Sequence, residues 1–422
     1  MGKIQILKTF GMSIFIYLMR SIGIPFKILN KINTMFYKYV WKKKVSNTKA
    51  FEKVKRVVMQ GPLEMGGLKM ININQMQTVV YLEWAEKIIN ERTFAWAEIP
   101  RFFMKEVGDI AIFETKITFK NMKGINNVKN MFWKNVIESW VKNNTFVEDC
   151  NVQQNVINEP IANNENVTYN NNVLLIQDFI QRNIIYVRDM TVNNRLMTYQ
   201  EFVIRYGAYA NAWMDYFLVK NALTRKCLTG ETNLTKTCKF KNTNVGKIGR
   251  KNFDILISHC ELSHGSKIWH RLFQIELTRE HWTIAAKCTP EIRLRMLQWK
   301  ILHNIYPTNI LLNKMGIRES NLCKVCKVID HTEHFFYYCN ISKPLWQEIE
   351  KQILIHTNLI IKLDAKRVLL GISKDDVSKE MVRTKINHAL LVGKMVISKV
   401  KYGKQTQIIN TFNTEALYRN VW

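Results

Sequence analysis

The sequence predicts a mainly α protein, and three observations carry that expectation. Apolar residues recur at spacings of three and four through most of the chain, as they do on the buried side of amphipathic helices. Helix start and stop signals bracket many of those runs, among them Pro25, Thr198-Tyr-Gln-Glu201 and Thr289-Pro290-Glu291. Cysteine and histidine crowd into one short stretch, Cys323 to Cys339. The expected layout is a basic helical unit over 1–92, a helical middle region with an Asn-rich linker over 93–275, a small metal-stabilised helical module over 276–350, and a C-terminal helical segment over 351–422.

In order, Ile4, Leu7, Ile14 and Leu18 mark a first helix whose stripe is expected to be ordinary core. Pro25 opens a second, with Ile28, Ile32, Phe36 and Val40 on its buried side, and it runs into Trp41-Lys42-Lys43-Lys44. An aromatic ring beside three cations suits phosphate contact with stacking, and equally a solvated helix end. The loop Gly61 to Met70 carries Gly66-Gly67, weak as a phosphate cradle without a lysine-bearing consensus. A third helix presents Met76, Val80, Trp84 and Ile88, and another, near 127–142, presents Val128, Phe132, Val136 and Trp140.

The Asn-rich stretch 143–172 reads as loop or linker, and 226–252 as a basic, mobile link. Thr289, Pro290 and Glu291 are expected at the N-cap, N1 and N2 of a strong helix carrying Ile292, Met296, Trp299 and His303. His303 reads as a hydrogen-bonded core histidine rather than a ligand. Arg293, Arg295 and Lys300 lie toward a different side and form a candidate binding surface. Asp376 to Lys401 is expected as the long final helix.

The cluster has the form C-x2-C-x7-H-x4-C, with Cys323, Cys326, His334 and Cys339. Three thiolates and one imidazole are the donor set of a closed tetrahedral structural Zn2+ site, with no position left for a catalytic water. His331 is a rival donor, although it would leave the final spacing too long. The other five cysteines are scattered, which argues against a disulfide framework and for a reducing compartment.

Lys and Arg number 62 against 34 Asp and Glu, a formal charge of +28, and an excess that large calls for a polyanionic partner. It is uneven as well: residues 1–69 hold 14 basic residues and only Glu52 and Glu64 as acids. The apolar run Phe10 to Met19 is too short to span a bilayer. These features point to a soluble intracellular protein of the nucleus or cytoplasm, without membrane association. The sequence holds no nucleophile elbow, Walker A loop, zinc-protease helix or dinucleotide fingerprint. Its adjacent aspartates, Asp375-Asp376, look like a helix start rather than a two-cation site.

Several stretches resemble reverse transcriptases encoded by LINE-type non-LTR retrotransposons. Gly2-Lys3-Ile4 through Tyr17-Leu18, Ile24-Pro25, Ile32-Asn33 with Phe36, Val40-Trp41-Lys42, Gly66-Gly67-Leu68-Lys69-Met70 and Trp84 resemble the segment following the palm. Ile184 to Asp189 looks like the region between that thumb and the C-terminus. Trp299 to His303, Tyr306-Pro-Thr308, the Cys323–Cys339 cluster and Trp346 are similar to the family's zinc-binding module.

The resemblance implies a thumb-like N-terminal unit that grips RNA, DNA or hybrid backbones through Lys42, Lys43, Lys44, Lys53, Lys55 and Arg56. It also implies zinc on Cys323, Cys326, His334 and Cys339, and other retrotransposon-encoded proteins as partners. The endonuclease, fingers and palm with its paired aspartates have no counterpart in the sequence, so DNA synthesis is not expected of this polypeptide alone. A zinc-stabilised module for protein interaction, and a portion of a complete reverse transcriptase, are the alternatives.

Overall fold

Helices dominate the computed structural model, which describes residues 2–41, 52–143, 154–193, 195–227, 233–234, 239–240, 243–244, 264–403 and 407–422. The named strands among them are two residues long. One pair, Thr168–Tyr169 with Asn172–Val173, turns through Asn170 and Asn171, whose φ values of 50° and 62° suit the asparagine tolerance for left-handed backbone in a tight hairpin.

The chain divides into two units built from interleaved segments. One comprises Met12–Asn33 and Asn72–Ser258, the other Met1–Gly11, Thr34–Ile71 and His259–Trp422, so the 1–92 stretch contributes to both. In the first, the Ile73–Asn90 and Met131–Asn143 helices share a core of Val79, Leu82, Ala85 and Ile88 with Phe132, Val136, Ile137 and Trp140. Gln77 clamps the entry to this unit by accepting from Ile24 N at 2.8 Å and donating to Ile24 O at 2.9 Å. A second cluster gathers Phe179, Phe202 and Tyr216. There Thr198 and Glu201 form the expected reciprocal cap of the Tyr199–Tyr206 helix.

In the other unit the Glu380–Tyr402 helix buries Ile386, Leu390, Val396 and Ile397. Trp282 of the Arg279–Cys288 helix and Leu294, Leu297 and Ile301 of Ile292–Leu302 join the same core. So do Trp346 and Ile349 of Lys343–Thr357 and Phe412 of Ile408–Tyr418. Within it Lys394 is 1% exposed, its Nζ donating to Gln298 Oε1 at 2.5 Å. Burial pushes its ammonium down to about 7 and the nearby Cys288 thiol up to about 12.

Five local expectations change. Ile4 and Leu7 are buried, but Ile14 is 68% exposed and Leu18 is exposed too, while Met12 and Met19 are buried instead. A π turn at Leu7–Gly11 holds one residue more than an α turn and rotates the pattern out of phase. On the Phe26–Val40 helix Leu29, Phe36 and Tyr37 are buried and Ile28 is exposed, because strict steps of four drift about 40° each around an α helix. The helix expected at Thr289 starts at Ile292, and Thr289 Oγ1 instead accepts from Glu291 N at 3.2 Å within the preceding turn. The last long helix starts at Glu380 rather than Asp376, and a further helix, Ile408–Tyr418, follows it.

Over its described part the Asn-rich stretch is mostly turns, with two-residue strands and one short 3-10 turn, and it is packed. Asn163 and Asn164 are fully buried. Asn163 Nδ2 donates to Val107 O at 2.8 Å and Lys123 O at 2.9 Å, and its Oδ1 accepts from Lys123 N at 2.9 Å. Most of the 226–252 link lies outside the described residues.

Candidate metal centre

The first half of the site is a tight knuckle. Leu322 and Ile329 bridge as antiparallel partners, Cys323 N donates to Val328 O at 2.7 Å, and Lys327 N donates to Cys323 O at 2.9 Å. Closing so short a loop requires left-handed backbone, and Lys327 supplies it at φ 58°. The backbone amides of Val325 and Cys326 are thereby turned toward the Cys323 sulfur.

The second half is a π turn, His334–Tyr338, with Cys339 as its C-cap. On an α helix, residues five apart would point about 140° from each other. The wider turn, closed by Cys339 N donating to His334 O at 2.9 Å, brings both side chains to one side. Its loosened carbonyls find donors elsewhere. Phe335 O accepts from Ser342 Oγ at 3.1 Å and Lys401 Nζ at 2.7 Å, and Phe336 O accepts from Trp346 Nε1 at 2.6 Å.

The donor atoms of Cys323, Cys326, His334 and Cys339 lie within 4.8 Å of one another. Sulfur to sulfur, Cys323 and Cys339 are 3.9 Å apart and Cys326 and Cys339 3.7 Å. Disulfide sulfurs lie about 2 Å apart. Tetrahedral zinc with bonds of about 2.3 Å sets its sulfurs about 3.8 Å apart, which matches. His334 Nε2 is buried with no hydrogen-bond partner among the described residues, as an atom reserved for a metal would be. His331 is exposed and outside the group.

Electrostatics favour the ligand forms of Cys323 and His334. Burial pushes the Cys323 thiol up, but the amides of Cys326 and Val325, the Cys339 side chain and Lys401 outweigh it and hold the thiol below its ordinary value. Burial, reinforced by Lys401, lowers His334 and so keeps its imidazole neutral. Cys339 is pushed up to about 11, chiefly by burial, a balance that a divalent cation reverses. Three thiolates and one imidazole around Zn2+ carry a net charge of about −1, and Lys401 is placed to neutralise it. A lysine so distant in sequence carried no signal beyond the basic end of its helix.

The predicted basic contacts divide into four groups. Lys42, Lys43 and Lys44 lie outside the described residues. Arg56 and Arg295 have partners within the chain. Arg56 Nε and Nη2 grip Glu52 at 2.6–3.0 Å and the guanidinium lies over the Tyr37 ring. Arg295 donates to Thr289 O at 2.6 Å and Ala286 O at 3.1 Å, capping the end of the preceding helix. Lys55 and Arg293 are exposed. Lys53 and Lys300 come together with Lys3, Trp41 and Trp299 around a cavity of about 480 Å³.

The Gly66-Gly67 loop has a structural task that its sequence did not reveal. Gly66, at φ 85°, exposes a carbonyl that accepts from Trp299 Nε1 and His303 Nε2, both at 2.8 Å. A side chain at Gly67 would collide with Gly61 O. His303 is buried in this contact, and burial pushes it down to about 4.

None of the curated proteins compared with the chain matches it. Residues 264–346, which include all four donors, match the family described as zinc-binding in reverse transcriptase. The donor geometry and that match agree: this part of the chain is a reverse-transcriptase-related zinc-binding module.

Proposed function

We propose that the chain is a nucleic-acid-binding polypeptide derived from the C-terminal part of a LINE-type non-LTR retrotransposon reverse transcriptase, stabilised by structural Zn2+ and without polymerase activity of its own. One observation carries the binding role: Lys3, Lys53 and Lys300, from three distant segments of one unit, line a single cavity beside Trp41. Such a constellation holds phosphates by charge and leaves aromatic surface for stacking. The overall charge of +28 supports the same partner class, RNA, DNA or their hybrid, met inside the cell.

Zn2+ on Cys323, Cys326, His334 and Cys339 holds the knuckle to the π turn, and its binding free energy is folding free energy. The Asp375-Asp376 pair offers no support for metal-dependent polymerisation, because Asp376 accepts from Arg367 Nε at 2.9 Å and Ser373 N at 3.1 Å. Filter binding of labelled RNA and single-stranded DNA across a salt series tests the proposal. Affinity is expected to fall steeply with salt, and Lys53→Glu with Lys300→Glu is expected to weaken it roughly 10- to 100-fold with zinc content unchanged. Absence of binding at low salt overturns the proposal. Primer extension by the purified chain, expected to be nil, tests the enzymatic part.

A further inference from the structure

Three elements of the zinc-binding module meet around a second recess, of about 720 Å³. Arg271 reaches it from the His264–Phe273 helix, Lys314 from the Asn309–Lys314 helix, and His331 and Tyr338 from the metal-binding segment. Its size falls within the range of roughly 300–1,000 Å³ typical of small-ligand sites.

Arg271 and Lys314 are exposed and make no ion pair or hydrogen bond among the described residues. Glu333 is the one acid among the described residues of the lining, so these give the recess excess positive charge. Tyr338 is 53% exposed, its ring standing nearly perpendicular to that of Tyr337 at 5.0 Å. Asn304 accepts from Thr332 Oγ1 at 2.5 Å, which orients its amide and leaves the NH2 group to donate. Cations at the rim, a flat aromatic wall and an oriented amide are together what an unpaired nucleotide requires: phosphate neutralisation, stacking and an edge contact. A paired base cannot enter, because its faces and edge are already engaged in the duplex.

We infer that this recess receives one unpaired nucleotide of a single strand. Its phosphate lies against Arg271 and Lys314, its base stacks on Tyr338, and Asn304 donates to a base carbonyl. The inference rests on the nucleic-acid reading above and adds to it a preference for single strands that does not depend on the Lys53 and Lys300 cavity. His334 also borders the recess, so the metal ties the wall that carries Tyr338.

The test uses the full zinc-loaded chain and fluorescence anisotropy, with labelled oligo(U) and oligo(dT) strands beside blunt duplexes of equal phosphate number. Tyr338→Ala is expected to weaken single-strand binding roughly 5- to 100-fold while duplex affinity stays within about twofold, and Tyr338→Phe to retain the wild-type preference. Lys314→Glu, on a different element, is expected to lower strand affinity at unchanged zinc content, which keeps the test decisive should Tyr338→Ala fail to fold. Unchanged strand affinity in both Tyr338→Ala and Lys314→Glu, while Lys53→Glu still weakens binding, overturns the recess alone. Absence of nucleic-acid binding by the wild-type chain overturns both readings. Displacement of the strand by polyglutamate as readily as by unlabelled oligo(U) shows that the recess takes acidic protein, and overturns it too.

Discussion

Cys326 occupies the middle of the knuckle, and replacing it leaves two thiols and an imidazole that cannot close a tetrahedron. Cys326→Ser is therefore expected to lose stoichiometric zinc by elemental analysis and to loosen the packing around Phe336 and Trp346. Lys327 makes the opposite experiment possible. Its left-handed φ of 58° disfavours any side chain, so Lys327→Gly is expected to raise unfolding free energy by about 0.5–1 kcal/mol in a denaturant titration of the zinc-loaded protein. The four donors were legible because a metal demands soft ligands at short, regular spacing. The partners of Arg56 and Arg295 were not legible for the converse reason: a sequence exposes their charge but not Glu52, nor the carbonyls at a helix end, to which they are bonded.

At the scale of elements, the sequence conveyed which segments are helical better than which faces are buried. Periodicity assumes a constant turn, and the π turns at Leu7–Gly11 and His334–Tyr338 break that assumption, moving Ile14 outward and bringing His334 to Cys339. The Asn-rich stretch is loop-like as expected, but its burial was hidden for another reason. Asparagine is counted as a loop former, yet Asn163 satisfies three backbone groups at a buried site. Asn163→Ala removes those partners together, and a loss of about 2–4 kcal/mol is expected on thermal or chemical unfolding. A change below about 0.5 kcal/mol is the outcome for a solvated linker, and would contradict the packing described above.

For the whole molecule, the buried Lys394 links stability to pH. Its folded value of about 7 lies below the ordinary 10.5, so the unfolded chain binds more protons between those values and stability rises with pH through that window. Lys394→Met is expected to flatten that rise and to stabilise the protein at neutral pH, read as the wild-type minus mutant difference in unfolding free energy. The net charge acts at the same scale in the opposite direction, since self-repulsion weakens with salt while any phosphate-mediated binding also weakens. Stability and affinity should then respond to ionic strength with opposite signs.

The shared carbonyl of Gly66 bears on how the protein can be cut. Residues 264–346 end inside the Lys343–Thr357 helix, and their core partners include Ile349, Leu390 and Phe412 downstream, together with the Gly66 loop far upstream. The matched segment is therefore not a portable domain: excised alone it would expose Trp299 and Leu297 to water, even with its metal in place. A minimal version has to join 1–11, 34–71 and 259–422, three separate stretches of the reading frame that make up one compact unit.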